Sequence, residues 1–542
     1  MKQQSRRQPI WLPLAIAVAV VVGLFIGNRL SPSNYAADND RKVNAILNLI
    51  NQDYVDSTNL KDLVEMSIPE ILSNLDPHTS YISAEEFKSS NESASGMTSD
   101  IGIQYEPIND TITIIEVIPG GPSAKVGLKA GDRIVSIDDT TTIGEKVTKG
   151  AIAKRLRGPK GSKVKLGIKR LNSNKTLTFT VTRGNIPVNT VDAHYMLDKN
   201  TGYVKVNQFG RNTYREFMQA MIKLKDEGAK RYMIDLRGNG GGFMEMAVRM
   251  VNEFLPANQL IVYTHGRYKR NDREWWSDGD GRFQDAEVAV LIDEFSASAS
   301  EIFAGAMQDW DRGVIVGRRT FGKGLVQSEY HLPDGSQMRL TIARYHTPSG
   351  RVVQTPYEMG HKEAYYRTAG ERFARGESFS RDSIVLPDSL QFKTLRLGRT
   401  VYGGGGIVPD VFVPYDTTGH RPFLIRVIGT GALTDYANEY IDKHRDALAA
   451  ESVKQFEEKY ALLSTAAFDG LIAYAAEKEL VPESDEELDA CRAILATRLK
   501  ALLARSVLGT NGYWQVINAE EDPEFQKALE VVRTWPKAFN GL

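Results

Sequence analysis

The run Arg231–Leu255, RYMIDLRGNGGGFMEMAVRMVNEFL, decides the fold. It opens on a short strand-like stretch (RYMIDLR), breaks at a glycine-rich loop (RGNGGG) and continues with apolar residues at helical spacing (FMEMAVRMVNEFL). The same alternation recurs from about 184 to 350, where TGYVKVNQF, VAVLIDE and GVIVGRR read as strands and REFMQAMIKLKDEG and ASEIFAGAMQDW as helices. Alternation of this kind implies α/β layering.

The chain has 542 residues, too many for one core, and its length suggests three or four domains. Lys plus Arg total 67 against 68 Asp plus Glu, so no global field favours nucleic acid. Cys491 is the only cysteine, which excludes an intrachain disulfide framework and a cysteine-rich metal site. It sits among apolar residues at helical spacing and reads as a buried structural thiol. The eight histidines are scattered with no His-Glu-x-x-His, so neither a metal nor a cofactor is expected.

Lys2, Arg6 and Arg7 precede an uncharged run, Ile10–Gly27, followed by Asn28 and Arg29. As a helix the run spans about 27 Å, close to the roughly 30 Å of bilayer hydrocarbon. The residues around Ala36 and Ala37 make a poor cleavage site, so a retained membrane anchor is preferred over a cleaved signal peptide. The remainder is then expected on the extracytoplasmic, periplasmic side.

The expected organisation is a multidomain α/β protein: an anchor (1–29), a helical region (30–95), a β-rich module (96–183), an α/β core (184–415) and a helical extension (416–542). In the helical region, Asp76 and His78 of LDPHTSY read as a structural helix end beside Pro77. In the β-rich module, TITIIEVI, DRIVSID, KVKLGIKR and TLTFTVTR alternate between glycine and proline punctuation. The backbone N–H groups of Ile101, Gly102 and Ile103 in SDIGIQYE could cradle a peptide carboxylate, with a neighbouring strand edge accepting the peptide. Ile152 and Leu156 of TKGAIAKRLRG could line a pocket for its terminal side chain. The module resembles a PDZ domain, but Asp100 stands where such modules usually carry a small residue, and its charge weakens carboxylate binding.

FSASASEIFAG and RRTFGKGLVQ supply a candidate nucleophile and base, a serine and Lys323, in small-residue stretches that let a substrate backbone approach. Three serines, 296, 298 and 300, alternate with alanines, and spacing alone does not choose among them. Six segments occur in order: LDPHTSYIS from Leu75, LRGPKGSKV from Leu156, IDLRGNGGG from Ile234, SASASEI from Ser296, GRRTFGKGLVQ from Gly317 and GGIVPDV from Gly405. With them the chain resembles the carboxy-terminal processing proteases, serine peptidases with a Ser-Lys pair and an inserted PDZ domain.

The resemblance implies a crotonase-like core, Ser298 as nucleophile, Lys323 as base and Gln327 as the third member holding the amine. Ala299 is expected to donate its N–H to the oxyanion, with Gly241 or Gly242 as second donor. Arg237, Glu301 and Asp309 are assigned supporting roles, such as pairing of the two acids with Arg237 or Arg312. An exposed lysine would be protonated, so Lys323 must fall about 3 units from about 10.4. The segment of about 355–404 departs from the family pattern and reads as a surface flap or subunit contact.

The implied partners are proteins with accessible apolar carboxyl-terminal tails, the membrane through the anchor, and a homo-oligomer or adaptor through the helical extension. A Ser-x-x-Lys match, Ser162 to Lys165, falls in a predicted strand and is accidental. The rival reading is a catalytically inactive scaffold that binds peptide tails through its PDZ domain.

Overall fold

The computed structural model describes residues 34–87, 97–108, 111–118, 120–143, 149–170, 175–187, 189–415, 421–520 and 522–535. The apolar run Ile10–Gly27, read as an anchor, lies outside them. Among the described residues no helix is long and apolar enough to cross a membrane. The chain divides into two compact units, residues 1–72 and 73–542. Helices α1 (Asn34–Asp53) and α2 (Leu60–Ser73) provide the helical structure described in the first, with Pro69 inside α2.

The helical structure expected as far as residue 95 is interrupted after Ser73 and resumes as one turn at residues 84–87. Asp76 makes the end: its Oδ1 accepts the N–H groups of His78 at 2.9 Å and Thr79 at 3.0 Å, an Asx turn that leads into strand β1 (Ser80–Ile82).

The β-rich module contains β2 (Met97–Asp100), β3 (Ile103–Ile108), β4 (Thr111–Val117), α3 (Pro122–Lys125), β5 (Arg133–Ile137), β6 (Thr140–Thr141), α4 (Lys149–Leu156), β7 (Lys163–Lys169), β8 (Thr176–Thr182) and β9 (Gly184–Pro187). Its sheet runs β3-β4-β5-β7-β8 with β3 on an edge, while β2 pairs with β9. Period-two alternation turns Val164, Leu166 and Ile168 of β7 inward onto Ile152 and Leu156 of α4. Lys165 lies within β7, as expected for an accidental match.

The core follows as β10 (Val191–Met196), β11 (Thr201–Val206), α5 (Thr213–Asp226), β12 (Arg231–Asp235), α6 (Met244–Asn252), β13 (Leu260–Gly266), β14 (Arg273–Trp276), β15 (Glu287–Ile292), α7 (Ala299–Asp309), β16 (Val314–Gly317), β17 (Leu325–His331) and β18 (Gln337–His346). The insertion contributes α8 (Lys362–Ala374), β19 (Gln391–Lys393) and β20 (Thr400–Tyr402), and β21 (Val411–Phe412) returns to the core. Among the described residues the helices after the core are α9 (Pro422–Gly429), α10 (Ala432–Leu448), α11 (Val453–Ala461), α12 (Ser464–Glu477), α13 (Asp485–Glu520, kinked at Gly509) and α14 (Pro523–Arg533).

The main core sheet has the order β10-β11-β12-β15-β16-β21, parallel apart from β10. Its strands are apolar on both faces because both are covered. Val204, Ile234 and Val290 face the helices α5, α6 and α7, while Tyr203, Met233, Ala289 and Leu291 face Phe525, Ala528 and Val532 of α14. A second, antiparallel sheet joins β1, β18, β13 and β14, with β17 also on β18. Cys491 is buried in a separate helical core built from α9 to α13.

Candidate active site

The loop 238–242 and the turn into α7 both leave the carboxyl ends of parallel strands, β12 and β15. This is where an open parallel sheet offers a crevice. Ser298 sits in that turn with φ +56° and ψ −112°. A non-glycine residue held there costs about 1–3 kcal/mol, and a strained strand-to-helix turn is the arrangement that bares a nucleophilic hydroxyl. The neighbouring serines are occupied elsewhere. Ser296 Oγ donates to the Leu236 carbonyl at 2.8 Å and Ser300 Oγ to the Asn239 carbonyl at 2.9 Å, both fully buried, whereas Ser298 is half-buried.

Two buried side chains tie Ser298 to Lys323. Glu301 Oε2 accepts the N–H of Ser298 and the N–H of Lys323, each at 2.8 Å. Its Oε1 accepts the Thr320 hydroxyl at 2.6 Å and the Gly322 N–H at 2.8 Å. Burial raises the Glu301 pKa, and the four donors pull it partly back. On the carbonyl side, the Tyr345 hydroxyl lies 2.8 Å from Lys323 O and 3.2 Å from Ser298 O.

Lys323 lies in the crowded loop that its flanking glycines imply. A Cβ on Gly322, whose φ is +93°, would stand 2.2 Å from Thr355 Oγ1, and one on Gly324 would stand 2.7 Å from Gln354 N. Desolvation lowers the Lys323 pKa and the charge of Arg339 lowers it further, against opposing pulls from Glu301 and Asp76. Its Nζ donates to Gln327 Oε1 at 3.2 Å. The register of β17 on β18 shifts between Val326 and Gln327, and such a bulge re-aims the side chain that follows it.

Gly241 marks the closest approach of the glycine loop to the turn: a Cβ there would lie 2.8 Å from Ser298 Cβ and 2.9 Å from Ala299 N. As the first residue of α7, Ala299 has an N–H that the helix itself cannot satisfy. The Gly241 N–H, one of the two expected second donors, is instead given to Asn239 Oδ1 at 2.9 Å. Gly242 forms a bridge with Phe209 whose two hydrogen bonds use Gly241 O and the Phe243 N–H. The Gly242 N–H is left outside that bridge.

The expected pairings of the supporting acids need correction. Asp309 ends α7, about 16 Å from Ser298 at helical rise, and pairs with Arg351 at 2.6 Å, both side chains fully buried. Arg312 donates to the carbonyls of Phe254 and Phe283, because the end of α7 carries it toward that wall. Arg237 turns away from Glu301 to meet Asp235 at 2.6 Å, Asp522 at 2.7 Å and Glu524 at 3.0 Å. Burial would raise the Asp235 carboxyl, but Arg237 and Lys205 hold it well below the usual carboxylate range.

In the β-rich module, Ile101, Ile103, Ile152 and Leu156 are all buried in the module's own core, because α4 packs its apolar face onto the sheet. The isoleucine and leucine of α4 thus belong to the module's core rather than to the open lining of a pocket. The loop turns at Gly102, φ +77°. Its Ile101 N–H, expected to await a carboxylate, donates to Asp100 Oδ1 at 2.6 Å.

Sequence reasoning missed Asn239, Tyr345 and the backbone role of His78, whose carbonyl accepts from Gln327 Nε2 at 2.5 Å. The motif positions of Asn239 and His78 were a usable signal; Tyr345 carried none. The insertion is also no loose flap. Its Tyr366 hydroxyl donates to Pro77 O at 3.1 Å, and Arg372 donates to Thr320 O at 3.0 Å and Arg319 O at 3.2 Å, next to the lysine loop.

Residues 200–358 match peptidase family S41, 99–182 match the PDZ domain, and 423–509 match a family of unknown function. A protease core of the S41 type with a PDZ domain is thereby defined. The chain is 38% identical over 298 residues to a carboxyl-terminal-processing protease of Picosynechococcus sp., covering 53% of this chain and 70% of that one. It is 33% identical over 358 residues to carboxy-terminal processing protease CtpA of Bacillus subtilis (strain 168), covering 65% and 76%. The photosystem II D1 C-terminal processing protease aligns over 71% of this chain and 95% of its own at 24% identity and a TM-score of 0.34. The chain belongs to the carboxyl-terminal processing proteases of peptidase family S41.

Proposed function

We propose that the protein is a serine endopeptidase that cleaves extracytoplasmic proteins after its PDZ domain has taken hold of their apolar carboxyl-terminal tails. The observation that carries the catalytic part is the single Glu301 oxygen bonded to the N–H groups of both Ser298 and Lys323 at 2.8 Å. It holds a strained, half-buried serine and a desolvated lysine to one buried anchor.

In this reading the neutral Lys323 amine takes the Ser298 proton as Oγ attacks the scissile carbonyl. The N–H groups of Ala299 and Gly242 receive the developing oxyanion. The peptide C–N bond breaks, the leaving amine departs with the proton from Lys323, and a water deprotonated by the same lysine hydrolyses the acyl ester. The substrate tail adds to the edge of the sheet at β3 and presents its carboxylate to the loop at Ile101–Ile103. The core is read as crotonase-like, and the run Ile10–Gly27 as the membrane anchor that places it outside the cytoplasm.

The test is turnover of an unfolded reporter protein ending in an apolar residue by the wild type and by Ser298→Ala. Cleavage by the wild type alone is expected. Equal loss of intact reporter with both proteins rejects the peptidase reading and leaves the tail-binding scaffold.

A further inference from the structure

Around the lysine, side chains from three distant parts of the chain close a hydrogen-bonded ring. Lys323 Nζ donates to Gln327 Oε1 at 3.2 Å, and Gln327 Nε2 donates to His78 O at 2.5 Å. His78 Nε2 lies 3.1 Å from the Tyr365 hydroxyl, which lies 3.4 Å from Gln354 Nε2. Gln354 Oε1 then accepts the N–H of Gly324, the residue after the lysine, at 2.8 Å. Tyr365 belongs to α8 of the insertion, and it is buried.

We propose that Tyr365 and His78 are positioning residues for Gln327 and, through it, for the amine of Lys323, so that the insertion supplies part of the site. The proposal rests on the Ser298–Lys323 reading above.

The directions of the bonds carry the argument. A backbone carbonyl only accepts, so His78 O draws the NH2 end of the Gln327 amide and leaves Oε1 facing the lysine. That orientation holds only while His78 stays in place. Burial, followed by the charge of Lys323, pushes the His78 pKa down to about 4, so the ring is neutral and one of its two nitrogens is an acceptor. Gln354 donates to the same hydroxyl oxygen, and with the His78 hydrogen on Nδ1 the tyrosine gives its own proton to Nε2, the arrangement the proposal takes. The Tyr365 ring also meets His78 edge-on at 5.1 Å.

A neutral lysine has two N–H groups and one lone pair. With an N–H held by Gln327, rotation of the amine is restricted and the lone pair can be directed at the serine. A purely structural tyrosine would support the fold without acting through Gln327, and this distinguishes the two roles.

The experiment measures kcat and KM on the apolar-ended reporter for Tyr365→Phe, Gln327→Ala and the double variant in the full chain, with thermal melting of each. Loss of one positioning hydrogen bond is expected to lower kcat about five- to tenfold with KM within about twofold. In the Gln327→Ala background the same substitution is expected to change kcat less than about twofold. An equal loss in both backgrounds, or no loss of kcat in either, overturns the proposal. Should Tyr365→Phe melt before assay, His78→Phe removes the partner of the same hydroxyl while keeping the residue 78 carbonyl, and is read through the same cycle. Ser298→Ala is run alongside. If it still cleaves, the Ser298–Lys323 reading falls and this one with it; if it is inactive while Tyr365→Phe matches the wild type, only the positioning role falls.

Discussion

Replacing Glu301 by glutamine exchanges one side-chain oxygen for an NH2 group where both oxygens now accept. Four donors surround the carboxylate: the N–H groups of Ser298, Lys323 and Gly322 and the Thr320 hydroxyl. The amide will turn its NH2 toward Thr320 and Gly322, because the hydroxyl alone among the four can rotate to accept. The Gly322 N–H is then orphaned in a fully buried place, at about 1–3 kcal/mol, and the surviving bonds lose their charge assistance. The expected destabilisation is about 2–5 kcal/mol, read as a lower urea midpoint at unchanged slope. A second effect has a definite sign. The Glu301 charge is one of the groups holding the Lys323 pKa up. Lys323 works as a base only when neutral, so kcat/KM rises with pH through its pKa. Removing the charge moves that rising limb to lower pH, measured per active site on the folded fraction. A variant that unfolds with the wild type, or whose limb moves to higher pH, refutes the geometry on which the site is built.

Ser298→Gly should raise the urea midpoint while abolishing cleavage, because glycine adopts φ +56° freely. Relief of about 1–3 kcal/mol outweighs the roughly 0.5–1 kcal/mol entropy cost of the glycine, whereas Ser298→Ala keeps the strain. Asp309→Ala should cost about 3–5 kcal/mol in the same assay, since Arg351 would keep its charge in a fully buried place. Asp100→Gly should tighten binding of an apolar-ended peptide about tenfold by calorimetry, because it frees the Ile101 N–H and removes a like charge. Burial raises the Asp100 pKa, so the wild type should gain affinity as pH is lowered and the carboxylate takes up its proton, and the glycine variant should lack that gain.

The core strands were legible because a sheet covered on both faces needs continuous apolar runs, which stand out in YMIDL and VAVLI. The stretches holding Ser298 and Lys323 stood out for a different reason: small neighbours at Ala297, Ala299, Gly322 and Gly324 are a local demand for close approach, although they do not choose among the three alternating serines and the proposed Ser298 came from the resemblance. His78, Tyr345 and Tyr365 act through a carbonyl or a hydroxyl on residues that meet the site only after folding. His78 and Gln327 are 249 positions apart, and no local period encodes such a meeting.

The helix α14 lies between these cases. Its apolar spacing shows that one face is buried, but amphipathy does not name what buries it. Reading the sheet would have named it. The helices α5, α6 and α7 all contribute to one face of the main sheet, yet its strands are apolar on the other face too. A parallel sheet cannot leave that second face wet, so another apolar helix had to cover it. Phe525, Ala528, Leu529 and Val532 meet the requirement at helical spacing. Once α14 is placed there, its acidic start, Asp522 and Glu524, falls beside Arg237 at the head of the glycine loop. The start of α14 thereby holds the head of the glycine loop through Arg237, a link that no reading of the helical extension as a separate appendage could have shown.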